Sequence, residues 1–140
     1  MGLRIGSVFR FYFAEASKTK RSVVVAVTDS TKRYATLLLI NSELTDYAKK
    51  NPNIRKAQLP LTKQGREAFL EHDSFLNCAN LFTREVRDLE QMVRSNPNCI
   101  LGQLSEADLR AARDLIVRSG RFSPRELDDF GLTEEDEDED

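Results

Sequence analysis

Ser22-Val23-Val24-Val25-Ala26-Val27 decides the fold. Six residues, all but Ser22 apolar and rich in β-branched types, predict a strand buried on both faces. Its neighbours extend the pattern. Upstream, Arg4-Ile5-Gly6-Ser7-Val8-Phe9-Arg10-Phe11-Tyr12-Phe13 is aromatic and partly alternating, which predicts a first strand with one face exposed. The polar stretch from Ala14 to Lys20 is expected to be a loop. Downstream, Asp29-Ser30-Thr31-Lys32 carries turn chemistry, short polar side chains that bond their own backbone, and Tyr34 to Ile40 forms a third strand. Three strands on short connections make an antiparallel meander.

Beyond Ile40 the chain turns polar. Asn41 to Lys56 is expected to hold a helical turn over Ser42-Glu43-Leu44-Thr45-Asp46, with Ser42 as its cap. Ala57 to Leu61 suits a short strand, Thr62 to Glu71 a loop or short helix, and Asp73 to Leu81 a central strand. Val86, Leu89, Met92 and Val93 fall at helical spacing. Ile100 to Ser105 leads into a final long helix: Ser105 caps it, Leu104, Leu109, Ala112, Leu115 and Ile116 share one face, and Gly120 ends it. Ser123-Pro124-Arg125-Glu126 combines cap, first-turn proline and third-position glutamate, and so starts another helix that lasts to about Phe130 or Leu132. The fold class is α+β, mainly β: one domain over residues 1–132, with a small bent antiparallel sheet and a C-terminal helical segment.

The totals narrow the function classes. No apolar run approaches the roughly 20 residues of a membrane span, and the N-terminal residues lack a secretory apolar core, so a cytoplasmic protein is expected. Cys78 and Cys99 have no metal-type spacing and are expected to be reduced thiols. The net charge of −2 hides an asymmetry. Residues 134–140 hold seven of the 23 acids, so the rest carries 21 Lys+Arg against 16 Asp+Glu, a body of +5. An all-acidic run repels itself, and 133–140 is expected to be a disordered tail. There is no phosphate-cradling glycine loop, no His-Glu-x-x-His and no paired Cys-x-x-Cys, so no cofactor or metal site is expected. A single histidine, His72, excludes a two-histidine ribonuclease pair.

Several short anchors recur in a definite order: Arg21 after a basic loop, Asn41-Ser42 ending the third strand, Leu59-Pro60, His72-Asp73-Ser74-Phe75, and Ile100-Leu101-Gly102-Gln103-Leu104-Ser105 before the last long helix. Their order and spacing over residues 4–118 resemble the MazF/PemK-like toxin endoribonucleases. The resemblance implies an SH3-like antiparallel barrel that cleaves single-stranded RNA without metal, by attack of a 2′-hydroxyl on the adjacent phosphate. It also implies a homodimer held in check by an antitoxin protein. Arg21 matches the family's arginine, although Ser22 follows where proline is usual. Asn41 falls on the position of the family's hydroxyl residue, with Ser42 one step later; a one-residue offset reverses the face of a strand, so the two cannot serve equally. Arg21, Ser42 and Asn41 are therefore the candidate catalytic residues. Lys18, Lys20, Lys49, Lys50, Arg55 and Lys56 come from the loops that border the family's groove and are the candidate RNA-binding residues, with Phe11 or Tyr12 stacking a base. Asp73 and Ser74 are expected to fix the start of the fifth strand. The alternative is a catalytically inactive barrel that binds RNA or a protein partner.

Overall fold

A computed structural model describes residues 4–28 and 32–132. Six strands form one antiparallel sheet: β1 (Ser7–Phe13), β2 (Lys18–Val27), β3 (Tyr34–Asn41), β4 (Gln58–Leu61), β5 (Ser74–Glu85) and β6 (Ile100–Gln103). The spatial order is β4-β5-β3-β2-β1-β6. The expected meander is its centre, and the chain is α+β, mainly β. Register shifts at Val8/Phe9 and Val24/Ala26 each insert a residue, a larger irregularity interrupts the β3–β5 ladder at Leu37/Leu39, and such bulges bend a sheet. The sheet accordingly curls into a half-barrel whose end strands, β4 and β6, do not pair.

Both faces of the sheet are covered, which is why β2 and β3 read as continuous apolar runs. On the first face, Val8, Val23, Leu38, Ile40, Leu76 and Cys78 form the larger core. Four helices cover it. Helices α1 (Asp46–Lys50) and α2 (Pro52–Lys56) contribute Ala48 and Ile54, and α4 (Glu106–Arg118) contributes Ala112 and Ile116. Helix α5 (Pro124–Asp129) adds Leu127. On the second face, Phe9, Phe13, Val24, Leu37 and Leu39 pack against Val86 and Leu89 of α3 (Val86–Ser95). β1 alternates as expected, with Arg10 and Tyr12 exposed between buried Phe9 and Phe13 and half-buried Phe11.

Four local expectations need correcting. The loop over Ala14–Lys20 shrinks to a single 3-10 turn, Ala14–Ala16, because Ser17 takes up a left-handed conformation (φ 56°) and the ladder starts at Lys18. Ser42 caps nothing: the Thr45 hydroxyl accepts from the Ala48 N–H at 3.1 Å, and Asn51 caps α2. β5 runs four residues past Leu81, because the rest of β3 is there to pair with it. Ile100–Gln103, expected to lead into a helix, is an edge strand on β1, and the helix waits for its Ser105 cap.

The C-terminal helices follow their signals. Ser123 and Glu126 form a reciprocal capping box at 3.1 and 2.8 Å. The buried Thr36 hydroxyl donates to the Phe130 carbonyl at 2.9 Å and docks the end of α5 onto β3. Gly131, at φ +80°, lies so close to Val27 that a Cβ would stand 3.2 Å from its carbonyl oxygen. The expected turn at Asp29-Ser30-Thr31 and the acidic run over 133–140 lie outside the described residues. Among the described residues no helix is long and apolar enough to cross a membrane.

Candidate functional site

The pairing register brings one end of the sheet together. Phe13 faces Lys18, Asn41 faces Phe75, and Leu61 faces Ser74, so the β1–β2 turn, the end of β3, the end of β4 and the start of β5 are neighbours. The segment 62–73 leaves β4 at this end and reaches across the open side of the half-barrel. Phe69 and Leu70 are buried in the larger core, and Phe69 and Ala68 press on Gly102 of β6, where a Cβ would stand 3.2 and 3.3 Å from them. Arg66 clamps the segment to α4 through a two-pronged pair with Asp108, at 2.7 and 2.8 Å. Asp73 accepts from the Lys63 N–H at 2.8 Å, and the Ser74 hydroxyl donates to the His72 carbonyl at 2.9 Å. Those contacts fix the start of β5.

Arg21 stands at this end of the first face, directly opposite Arg10 on β1 and Ile40 on β3. Two cations opposed across a ladder repel each other and cost stability unless something negative lies between them. Arg10 is exposed and has no ion-pair partner among the described residues. Arg21 has one, Glu71 of the bridging segment: Nη2 lies 3.4 Å from Oε2, a longer contact than a charge-assisted hydrogen bond. The Arg21 side chain is only 27% exposed, and its Nε is buried without a partner among the described residues. A buried donor left unpaired is uncommon and points to a missing acceptor. Tyr12, two residues along β1 on the same face, is 63% exposed. Arg10, Arg21 and Tyr12 thus form a cationic patch with an aromatic face beside it.

The other candidates divide. Asn41 follows Ile40 and so points to the face opposite Arg21, where its side-chain oxygen accepts from the Lys20 ammonium. Lys18 and Lys20, opposite Phe13 and Phe11, share that second face. Burial, with the charge of Lys18 adding to it, holds the Lys20 ammonium below its usual range. Ser42 lies exposed in a bend after β3. Lys49, Lys50, Arg55 and Lys56 occupy the last turns of α1 and α2, on the side of the sheet that carries Arg21. The Arg55 guanidinium donates to the Lys49 carbonyl at 2.7 Å, which gathers these charges on one helical hairpin beside the exposed ring of Tyr47. Phe11 packs between Phe9 and Phe13, with ring centroids at 6.3 and 5.3 Å, so of the two stacking candidates only Tyr12 presents an open face.

Arg10 and Glu71 escaped the sequence reading. The alternation of β1 contains the signal for Arg10, since it marks an outward residue on a strand paired with β2. Glu71 sits next to His72-Asp73-Ser74, but nothing local shows that its carboxylate meets an arginine fifty positions earlier. The conspicuous ion pairs elsewhere are structural. Arg84 holds Glu15 at 2.6 and 3.0 Å and lies 4.5 Å above the Phe13 ring, and its hydrogen bond keeps the Glu15 carboxyl below the usual range. No protein-family model matches the chain, and neither does any curated protein.

Proposed function

We propose that this chain is a metal-independent endoribonuclease of the MazF/PemK-like kind, on an SH3-like barrel, that cleaves single-stranded RNA through the 2′-hydroxyl. One observation carries the proposal: Arg10 and Arg21 oppose each other, only Arg21 meets a carboxylate, and among the described residues the buried Arg21 Nε–H has no acceptor. An RNA phosphate supplies what this patch lacks, namely negative charge and acceptor oxygens. In the phosphorane transition state that charge grows, and a fixed guanidinium gains most there. Arg21 holds the scissile phosphate, Arg10 the same or the adjacent one, and Tyr12 stacks a neighbouring base. Lys49, Lys50, Arg55 and Lys56 track the strand beyond. Ser42, exposed after β3, is the hydroxyl assigned to this phosphate in preference to Asn41, which points to the other face. A homodimer controlled by an antitoxin belongs to the same proposal.

The alternative, a barrel that binds RNA or a protein without cutting, draws support from that orientation of Asn41, which leaves Arg21 without the family's neighbouring side chain. A denaturing-gel assay on a long unstructured RNA with EDTA present separates the two. Wild type is expected to yield discrete fragments, and Arg21→Ala to lose about 100-fold or more in rate while remaining folded. Intact RNA with folded wild type, together with salt-sensitive binding, refutes the nuclease and leaves the binding module.

A further inference from the structure

Attack by a 2′-hydroxyl requires a group that removes its proton. Arginine is the wrong one, because a guanidinium stays protonated at any working pH. Asn41 has no proton to exchange and faces away. Among the described residues the carboxylate that contacts Arg21 is Glu71.

We propose that Glu71 is the general base of the Arg21 site, an inference that rests on the ribonuclease proposal above. The contrast with Arg66–Asp108 separates a working pair from a structural one. Asp108 is gripped by two short hydrogen bonds from Arg66, and both side chains of the pair are mostly buried. Glu71 makes one contact at 3.4 Å, and its side chain is 75% exposed. Its carboxylate therefore keeps lone pairs open to a substrate while Arg21 retains N–H groups open to a phosphate. The backbone behind it is nonetheless anchored: Phe69 and Leu70 are buried immediately before it, and the Asp73–Lys63 and Ser74–His72 bonds follow. A reactive group at the surface on a fixed backbone is the arrangement a general base needs.

The step balances with water as the only co-reactant. A Glu71 carboxylate oxygen takes the 2′-hydroxyl proton as the 2′-oxygen bonds to phosphorus. The bond from phosphorus to the 5′-oxygen breaks, and that oxygen takes a proton from water. The products are a 2′,3′-cyclic phosphate and a 5′-hydroxyl. Glu71 returns its proton to the hydroxide left behind and is again a carboxylate.

The test uses the full chain as wild type, Glu71→Gln, Glu71→Asp and Arg21→Ala, each checked for folding by circular dichroism. Single-turnover cleavage is measured on an unstructured RNA oligonucleotide, and binding by anisotropy on its uncleavable all-deoxy analogue. Glu71→Gln is expected to bind at least as tightly, since a negative charge beside Arg21 is gone, and to cut about 100-fold more slowly or worse. Glu71→Asp should recover part of the rate. If wild type cuts and Glu71→Gln cuts within about threefold of it or faster, Glu71 is not the base, although the nuclease stands. If wild type binds without cutting, the ribonuclease proposal itself fails, and the base with it.

Discussion

Arg10 and Arg21 oppose each other across β1 and β2, and among the described residues the exposed Glu71 meets Arg21 alone. Such a pair is a liability for the fold and an asset for binding a polyanion, so the two properties should respond in opposite directions to one substitution. Arg10→Ser is expected to leave stability unchanged or raise it by up to about 0.5 kcal/mol while weakening single-stranded RNA binding and flattening its salt dependence. Urea unfolding beside a salt titration of binding checks both; a variant that loses stability and keeps its affinity refutes this account of the patch. Ser22 is the other oddity at this scale. Its hydroxyl is fully buried and unpartnered among the described residues, at a position facing Phe9 and Leu39.

Among the elements, the 62–73 segment has the largest structural consequence. It spans the gap between the unpaired ends of the sheet and carries Glu71 to Arg21. Its clamp to α4, Arg66–Asp108, makes this docking sensitive to acid. Arg66's hydrogen bond holds the Asp108 carboxyl below the usual range, so the pair contributes stability above the unfolded pKa of about 4 and loses it as pH falls through the lower folded value. Asp108→Asn is expected to cost about 2 kcal/mol near pH 7, and the gap from wild type should close as both are acidified toward pH 3. A gap that stays constant over that range in urea titrations overturns the assignment. Much of this element level was legible beforehand: β2, β3, the short β4, α3 and the two capped C-terminal helices follow from periodicity and cap chemistry. The failures have physical causes. Ile100–Gln103 is too short to show a period and abuts a strong cap, and Gly102 is apparent as a contact point only once Phe69 lies against it. The opposite orientations of Arg21 and Asn41 depend on which residue of β3 faces which of β2, a parity set by pairing. The Arg21–Glu71 contact depends on where a twelve-residue connection folds back, and no local rule encodes that.

For the molecule as a whole, the two cores on opposite faces of one sheet predict cooperative unfolding. Cys78 is the natural probe. It is completely buried on β5, and burial pushes its thiol up to about 12. Thiolate chemistry at neutral pH therefore has to wait for the core to open. Labelling of Cys78 by a neutral thiol reagent is expected to be undetectable in the native protein and to rise with urea along the same curve as the loss of circular dichroism. Labelling well ahead of that curve would show that β5 opens by itself.

The position of β1 between β2 and β6 bears on how the chain emerges from the ribosome. β1 gains its first neighbour within a few residues of its own synthesis, but Gln103, the partner of Ser7, is made about 90 residues after β1 ends. At about 5–20 residues per second, that is a wait of about 5–20 seconds. Throughout it, the outer hydrogen-bonding edge of an aromatic-rich strand stays open to other nascent chains. Translation speed across residues 14–103 thus becomes a determinant of yield: pausing there prolongs the exposure, and a chaperone that shields a bare strand edge shortens its effect.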